Sequence, residues 1–120
     1  MRIGKSVIRI IETHGVALDP GKNIKVTSIL TEDDTWSGLS ATFTAGEVLA
    51  LGEAVYLKAA DSEVYKALAT GTTTMPAIAL ATCATTDENP FEFLLFGFMR
   101  HDAWDWTPGG LLYISEDDAG

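Results

Sequence analysis

Short apolar–polar alternations, broken by turn residues, run along most of this chain and predict strands. Residues 23–30 place Ile24, Val26 and Leu30 on one face and Lys25 and Thr27 on the other. The preceding Leu18-Asp19-Pro20-Gly21 reads as a turn, with proline presetting one φ angle and glycine taking the position that needs a positive one. Residues 40–44 form a second expected strand, ended by Ala45-Gly46-Glu47. Residues 54–58 and 64–67 read as a hairpin around Asp61-Ser62. Gly71-Thr72-Thr73-Thr74 is a polar loop, and Met75-Pro76 opens the next strand at the position where proline costs least. Residues 91–99 are rich in phenylalanine and leucine and read as a central strand, and residues 111–115 as a last one. Only residues 3–14 invite a helix, through Ile3, Val7, Ile10 and Ile11 with Gly15 as a stop. Their β-branched side chains favour a strand instead, and the pattern alone does not decide between the two.

Two stretches read as copies. Gly52-Glu53-Ala54-Val55-Tyr56-Leu57 and Gly109-Gly110-Leu111-Leu112-Tyr113-Ile114 share glycine, two apolar positions, tyrosine and an aliphatic residue at a spacing of 57. Such a repeat suggests one supersecondary unit used twice. The first copy continues through Val64-Tyr65-Lys66-Ala67 and 75–81, whereas the second ends at Gly120. The expectation is an all-β fold, a small barrel or sandwich built from two related β units, the second of them incomplete, with an N-terminal arm. The chain would then be a fragment, or a protomer whose open edge another chain covers. The expected division is an arm over 1–39 and a β-rich module over 40–120.

Composition changes this picture little. At 120 residues the chain is one domain, able to bury roughly two-thirds of the surface its unfolded form exposes. No apolar run approaches the ~20 residues of a membrane helix. The single cysteine, Cys83, rules out an internal disulfide framework and is expected as a small buried hydrophobe. Charge is more informative. Residues 1–25 carry Arg2, Lys5, Arg9, Lys22 and Lys25 against two acids, a net +3, while the remainder carries −12. An acidic body repels nucleic acid and anionic membrane, so neither is an expected partner. The basic end suits docking on an acidic surface, or equally the decoration of an exposed edge strand.

No catalytic constellation emerges. His101 and Asp102 are adjacent, so on a strand they point to opposite faces, and no nucleophile motif accompanies them or His14. The acidic groups Glu32-Asp33-Asp34, Asp87-Glu88 and Glu116-Asp117-Asp118 lack calcium-loop spacing, and Gly109-Gly110 lacks a phosphate-loop lysine. The reading is of a non-enzyme without metal or cofactor. The densest segment is 100–110, where Trp104 and Trp106 would share one face of a strand. Three uses fit such a pair: a core contact, which is the ordinary one, a subunit interface, or a platform for sugar rings.

The runs 44–57, Val64-Tyr65-Lys66-Ala67 and Met75-Pro76-Ala77-Ile78-Ala79-Leu80-Ala81 resemble a module of tailed-bacteriophage structural proteins. The run 100–115, from Arg100-His101-Asp102-Ala103-Trp104-Asp105-Trp106 to Tyr113-Ile114-Ser115, is similar to that family's later segment. The resemblance covers roughly 40–116 and implies a multimeric, β-rich virion component described as head decoration, head fibre or tail fibre. The expected function is therefore a capsid decoration (cement) or head-fibre subunit on the outer surface of the particle. Its partners would be itself, as a homotrimer, and the major capsid protein or another virion protein. In this reading Tyr56, Trp104, Trp106 and Tyr113 hold fold or oligomer, and Arg2, Lys5, Arg9, Lys22 and Lys25 face the shell. A tail-fibre or baseplate component is the alternative, and a host-surface glycan-binding module the alternative of another class.

Overall fold

The computed structural model describes residues 8–11, as backbone, and 15–120. Seven strands and no helix are found among these residues, as the alternating pattern predicts: β1 (Ile8–Ile11), β2 (Gly15–Leu18), β3 (Thr35–Ala45), β4 (Ala54–Leu57), β5 (Val64–Lys66), β6 (Ala79–Ala81) and β7 (Asn89–Arg100). β1 and β2 form a separate antiparallel ribbon. The other five pair in the order β3-β5-β4-β6-β7 and return to β3 as a small closed barrel. The closure is narrow, since a single parallel pair, Ala45 with Val64, joins β3 to β5.

The expected hairpin is β4–β5, paired through Val55–Lys66, Tyr56–Tyr65 and Leu57–Val64. Its turn carries Ser62 at φ 64°, and the Lys58 amide closes it onto the Glu63 carbonyl. The expected strands at 40–44 and 91–99 are found as parts of longer ones. β3 and β7 pair along their whole length, from Thr35–Arg100 to Ala45–Asn89. β3 therefore crosses the division expected at 39/40. The register shifts between Leu39, opposite Phe96, and Ser40, opposite Leu94, leaving Leu95 as the extra residue. Beside this bulge Gly38 faces Gly97 across the ladder. A Cβ on Gly38 would stand 2.1 Å from the Phe96 carbonyl oxygen, and one on Gly97 2.1 Å from that of Ser37. A facing glycine pair next to a bulge is a device by which a strand pair bends.

The bulge and the glycine pair divide the β3–β7 ladder into two halves. The proximal half belongs to the barrel, whose core is Ala45, Leu49, Val55, Val64, Ala79, Ala81 and Phe93, flanked by Phe43, Ile78 and Phe91. Small side chains dominate because a five-stranded barrel, three of its strands only three or four residues long, encloses little volume, and Phe93 is the largest fully buried side chain, edge-on to Phe43 at 6.0 Å. The buried Thr85 hydroxyl serves two backbone groups: it accepts from the Leu49 amide (2.9 Å) and donates to the Glu47 carbonyl (3.3 Å). The distal half, Thr35–Leu39 with Phe96–Arg100, pairs with no further strand among the described residues. On one of its faces Leu39, Phe96 and Phe98 are 56%, 68% and 45% exposed.

Three expectations are corrected. Residues 23–30 form no strand, and Ile24 is largely exposed. Residues 111–115 form none either, although both copies of the repeat open on a glycine in the same left-handed conformation, φ 84° at Gly52 and 79° at Gly109. The copies share the turn and diverge after it. β4 has β5 on one side and β6 on the other to satisfy its backbone, and 111–115 has no such neighbours among the described residues. Cys83 is exposed, because it follows β6 in the connection to β7 rather than lying inside the barrel. The undecided segment 3–14 contains β1; its remaining residues lie outside those described.

Candidate functional site

The residues that carry chemistry gather where β7 leaves the barrel. β7 ends at Arg100, and the chain turns at once, with the Trp104 amide donating to the His101 carbonyl at 3.1 Å. Three consecutive residues of this turn, Arg100 and His101 through their side chains and Asp102 through its amide, tie it to the segment leading into β3. Arg100 forms two parallel bonds to Asp102, Nε to Oδ1 at 2.7 Å and Nη2 to Oδ2 at 2.9 Å. Its Nη1 donates to the Leu30 carbonyl at 3.0 Å. Asp33 Oδ1 accepts from the amides of Asp34 (2.9 Å) and Asp102 (2.7 Å). His101 Nδ1 meets Asp34 Oδ1 at 2.5 Å, Asp34 being held at φ 55°. His101 and Asp102 therefore serve different partners and form no relay with one another.

This wiring has an electrostatic consequence. The paired Arg100 guanidinium holds the Asp102 carboxyl below its usual value, and Asp102 in turn raises Arg100. Asp33, Asp34 and His101 bring one ligand atom each within 4.8 Å of one another, the only such group among the described residues. The hydrogen bonds above already engage all three side chains, and they account for the cluster as a staple between the segment entering β3 and the turn leaving β7.

The tryptophans sit on this staple. His101 stands edge-on to Trp104 at 5.3 Å and 80°. Trp104 and Trp106 stack face to face, with centroids 4.3 Å apart and planes 15° from parallel. No strand is involved; the turn brings the two rings together. The core reading is also corrected, because Trp104 is half-buried and Trp106 is 50% exposed. What seats the pair is Gly52, at the start of the first repeat copy. A Cβ there would stand 2.3 Å from Trp104 Cζ2, so the ring lies directly over a bare backbone. In the sequence Gly52 stood out only as the opening residue of the repeat; its contact with a ring 52 residues later was not legible. Two surface cavities, each of about 490 Å³, border the stacked pair.

The other predicted residues are dispersed. Tyr56 is half-buried against its cross-strand neighbour Tyr65, with centroids 6.2 Å apart. Tyr113 is 82% exposed and contributes nothing to the core of its own chain, which corrects a fold-holding role for it. Lys22 and Lys25 are exposed. Arg9 lies on β1 opposite Ala17, and Arg2, Lys5 and His14 lie outside the described residues. The pattern reading missed the distal apolar face, because residues 91–99 look the same whether a neighbour covers both faces or one. No helix of the described residues is long and apolar enough to cross a membrane. Comparison with protein-family models, curated proteins and solved structures finds no match to this chain.

Proposed function

We propose that this protein is a non-enzymatic structural subunit of a tailed-phage particle, a capsid decoration or head-fibre protein that works as a homotrimer on the outer surface of the shell. One observation carries the assembly part of this reading: the apolar face of Leu39, Phe96 and Phe98 on the distal half of the β3–β7 ladder, each about half exposed or more. A hydrophobic sheet face with unpaired strand edges is a liability in a monomer and an asset at a subunit interface. The exposed Leu111, Leu112 and Tyr113 add apolar surface of the same kind. The phage part rests on the resemblance of 44–81 and 100–115. In this reading the subunits meet through the distal halves of their β3–β7 ladders, and the basic segment 1–25 fastens the trimer to an acidic shell.

Light scattering after size-exclusion chromatography tests the assembly. The expected mass is about 39 kDa, three times the 12.9 kDa of the chain. The double variant Phe96→Ser/Phe98→Ser should fall to the monomer mass while keeping its strand signal in circular dichroism. A wild-type monomer at micromolar concentration overturns the assembly. Immunogold labelling of virions tests the location, with label on the head expected and label on the tail refuting it.

A further inference from the structure

We propose that the outer face of Trp106 is a binding platform for a neutral pyranose ring. A sugar site needs an aromatic face that is both exposed and immobile, because an indole that must be ordered on binding costs conformational entropy. Trp106 meets both conditions. Its inner face is covered by Trp104 at 4.3 Å, so the 50% of its surface that remains accessible belongs to the outer face and edge. Trp104 is itself fixed between the edge of His101 and the bare backbone of Gly52. The stack thus presents one flat, electron-rich surface, suited to the polarised C–H groups on the apolar side of a pyranose.

The surroundings select the ligand further. One of the two cavities beside the pair, about 490 Å³, falls in the ~300–1,000 Å³ range of small-molecule sites. Ser28, His101 and Thr107 line it and offer hydroxyl and imidazole groups at the rim of the indole surface. The charged groups nearby are mostly acidic: Asp33, Asp34, Asp102 and Asp105 are all exposed. The guanidinium of Arg100 has its bonds committed to Asp102 and the Leu30 carbonyl. An anionic ligand, whether a sialic acid, a uronic acid or a nucleotide, meets this acidic rim, and Arg100, the one arginine or lysine among the residues lining the cavity, is already committed. Neutral hexoses and N-acetylhexosamines carry no charge for that rim to repel.

The inference does not depend on the virion reading, and its test is separate from the mass measurement. The full chain is titrated with methyl glycosides of neutral hexoses, with N-acetylglucosamine oligomers and with glucuronic acid, followed by isothermal calorimetry and tryptophan fluorescence. A neutral sugar should bind at millimolar concentration or below with a change in indole emission, and glucuronic acid should bind more weakly. Trp106→Ala should weaken binding about tenfold or more, while Trp106→Phe, which keeps a smaller aromatic face, should retain part of it. Thr107→Ala, at an exposed position, probes the rim without touching the stack and should lower affinity a few-fold. The proposal is overturned if no neutral sugar binds, if glucuronic acid binds best, or if Trp106→Ala binds as well as the wild type.

Discussion

Replacing Gly52 by alanine should release the tryptophan stack, and the structure lets the cost be divided into two parts. The first is conformational. Gly52 has φ 84°, and an L-residue held in the left-handed region costs roughly 1–2 kcal/mol. The second is steric, since the new Cβ would stand 2.3 Å from Trp104 Cζ2, a separation that real Cβ atoms do not show. Either the backbone shifts, disturbing the Gly52 amide's 2.8 Å bond to the Ala81 carbonyl, or the ring lifts. If the ring lifts, the stack with Trp106 goes too, worth roughly 0.5–1.5 kcal/mol. The sum is about 1.5–3.5 kcal/mol for Gly52→Ala. Gly109→Ala is the control: its φ is 79°, but nothing stands within 4 Å of the added Cβ. It should cost no more than the conformational part, roughly 1–2 kcal/mol. Urea denaturation measures both variants, and near-ultraviolet circular dichroism follows the coupled indoles. Equal destabilisation by the two substitutions, with the aromatic signal intact in both, would refute the docking of Trp104 on Gly52.

Two further predictions concern groups outside the stack. Thr85→Val should destabilise the fold by about 1–3 kcal/mol, because it removes the hydroxyl that satisfies the buried Leu49 amide at nearly constant side-chain shape; denaturation of the variant checks this, and a loss below experimental error would show that the amide finds another partner. Asp102 should titrate below the usual carboxylate value of 3.8 in the folded protein, through its hydrogen bonds from Arg100. A depressed folded value means that this contribution to stability is present above the unfolded value and is lost as pH falls through the folded one. NMR titration of the Asp102 carboxyl measures it, and Arg100→Gln should return the midpoint upward.

The strands at 40–44 and 91–99, which fall within β3 and β7, the Asp61-Ser62 turn of the β4–β5 hairpin and the preference for strand over most of the chain were legible, because side-chain type and turn chemistry are local properties. The division of 1–39 from 40–120 was less so, because it was drawn where a resemblance began, while β3 starts at Thr35 to match the full length of β7. Residues 23–30 and 111–115 carry strand-like patterns and form no strand, since a strand exists only where neighbours complete its hydrogen bonds. The repeat shows the same limit within one sequence. Gly52 and Gly109 impose the same turn, and only the first is followed by a strand, β4, with partners on both sides.

At the candidate site the chain singled out residues that the fold brings together, but not their relation. Trp104 and Trp106 stood out by their type and spacing, but their stacking depends on a turn at His101, a bare backbone at Gly52 and an Asp34 that lies 67 residues from the histidine it holds. Local sequence by itself determined the all-β class, the turns and the uneven charge, because each follows from residues within a few positions of one another. Only the tertiary structure decided which apolar faces were covered and which tryptophan remained open, because burial depends on what the rest of the chain brings against a surface.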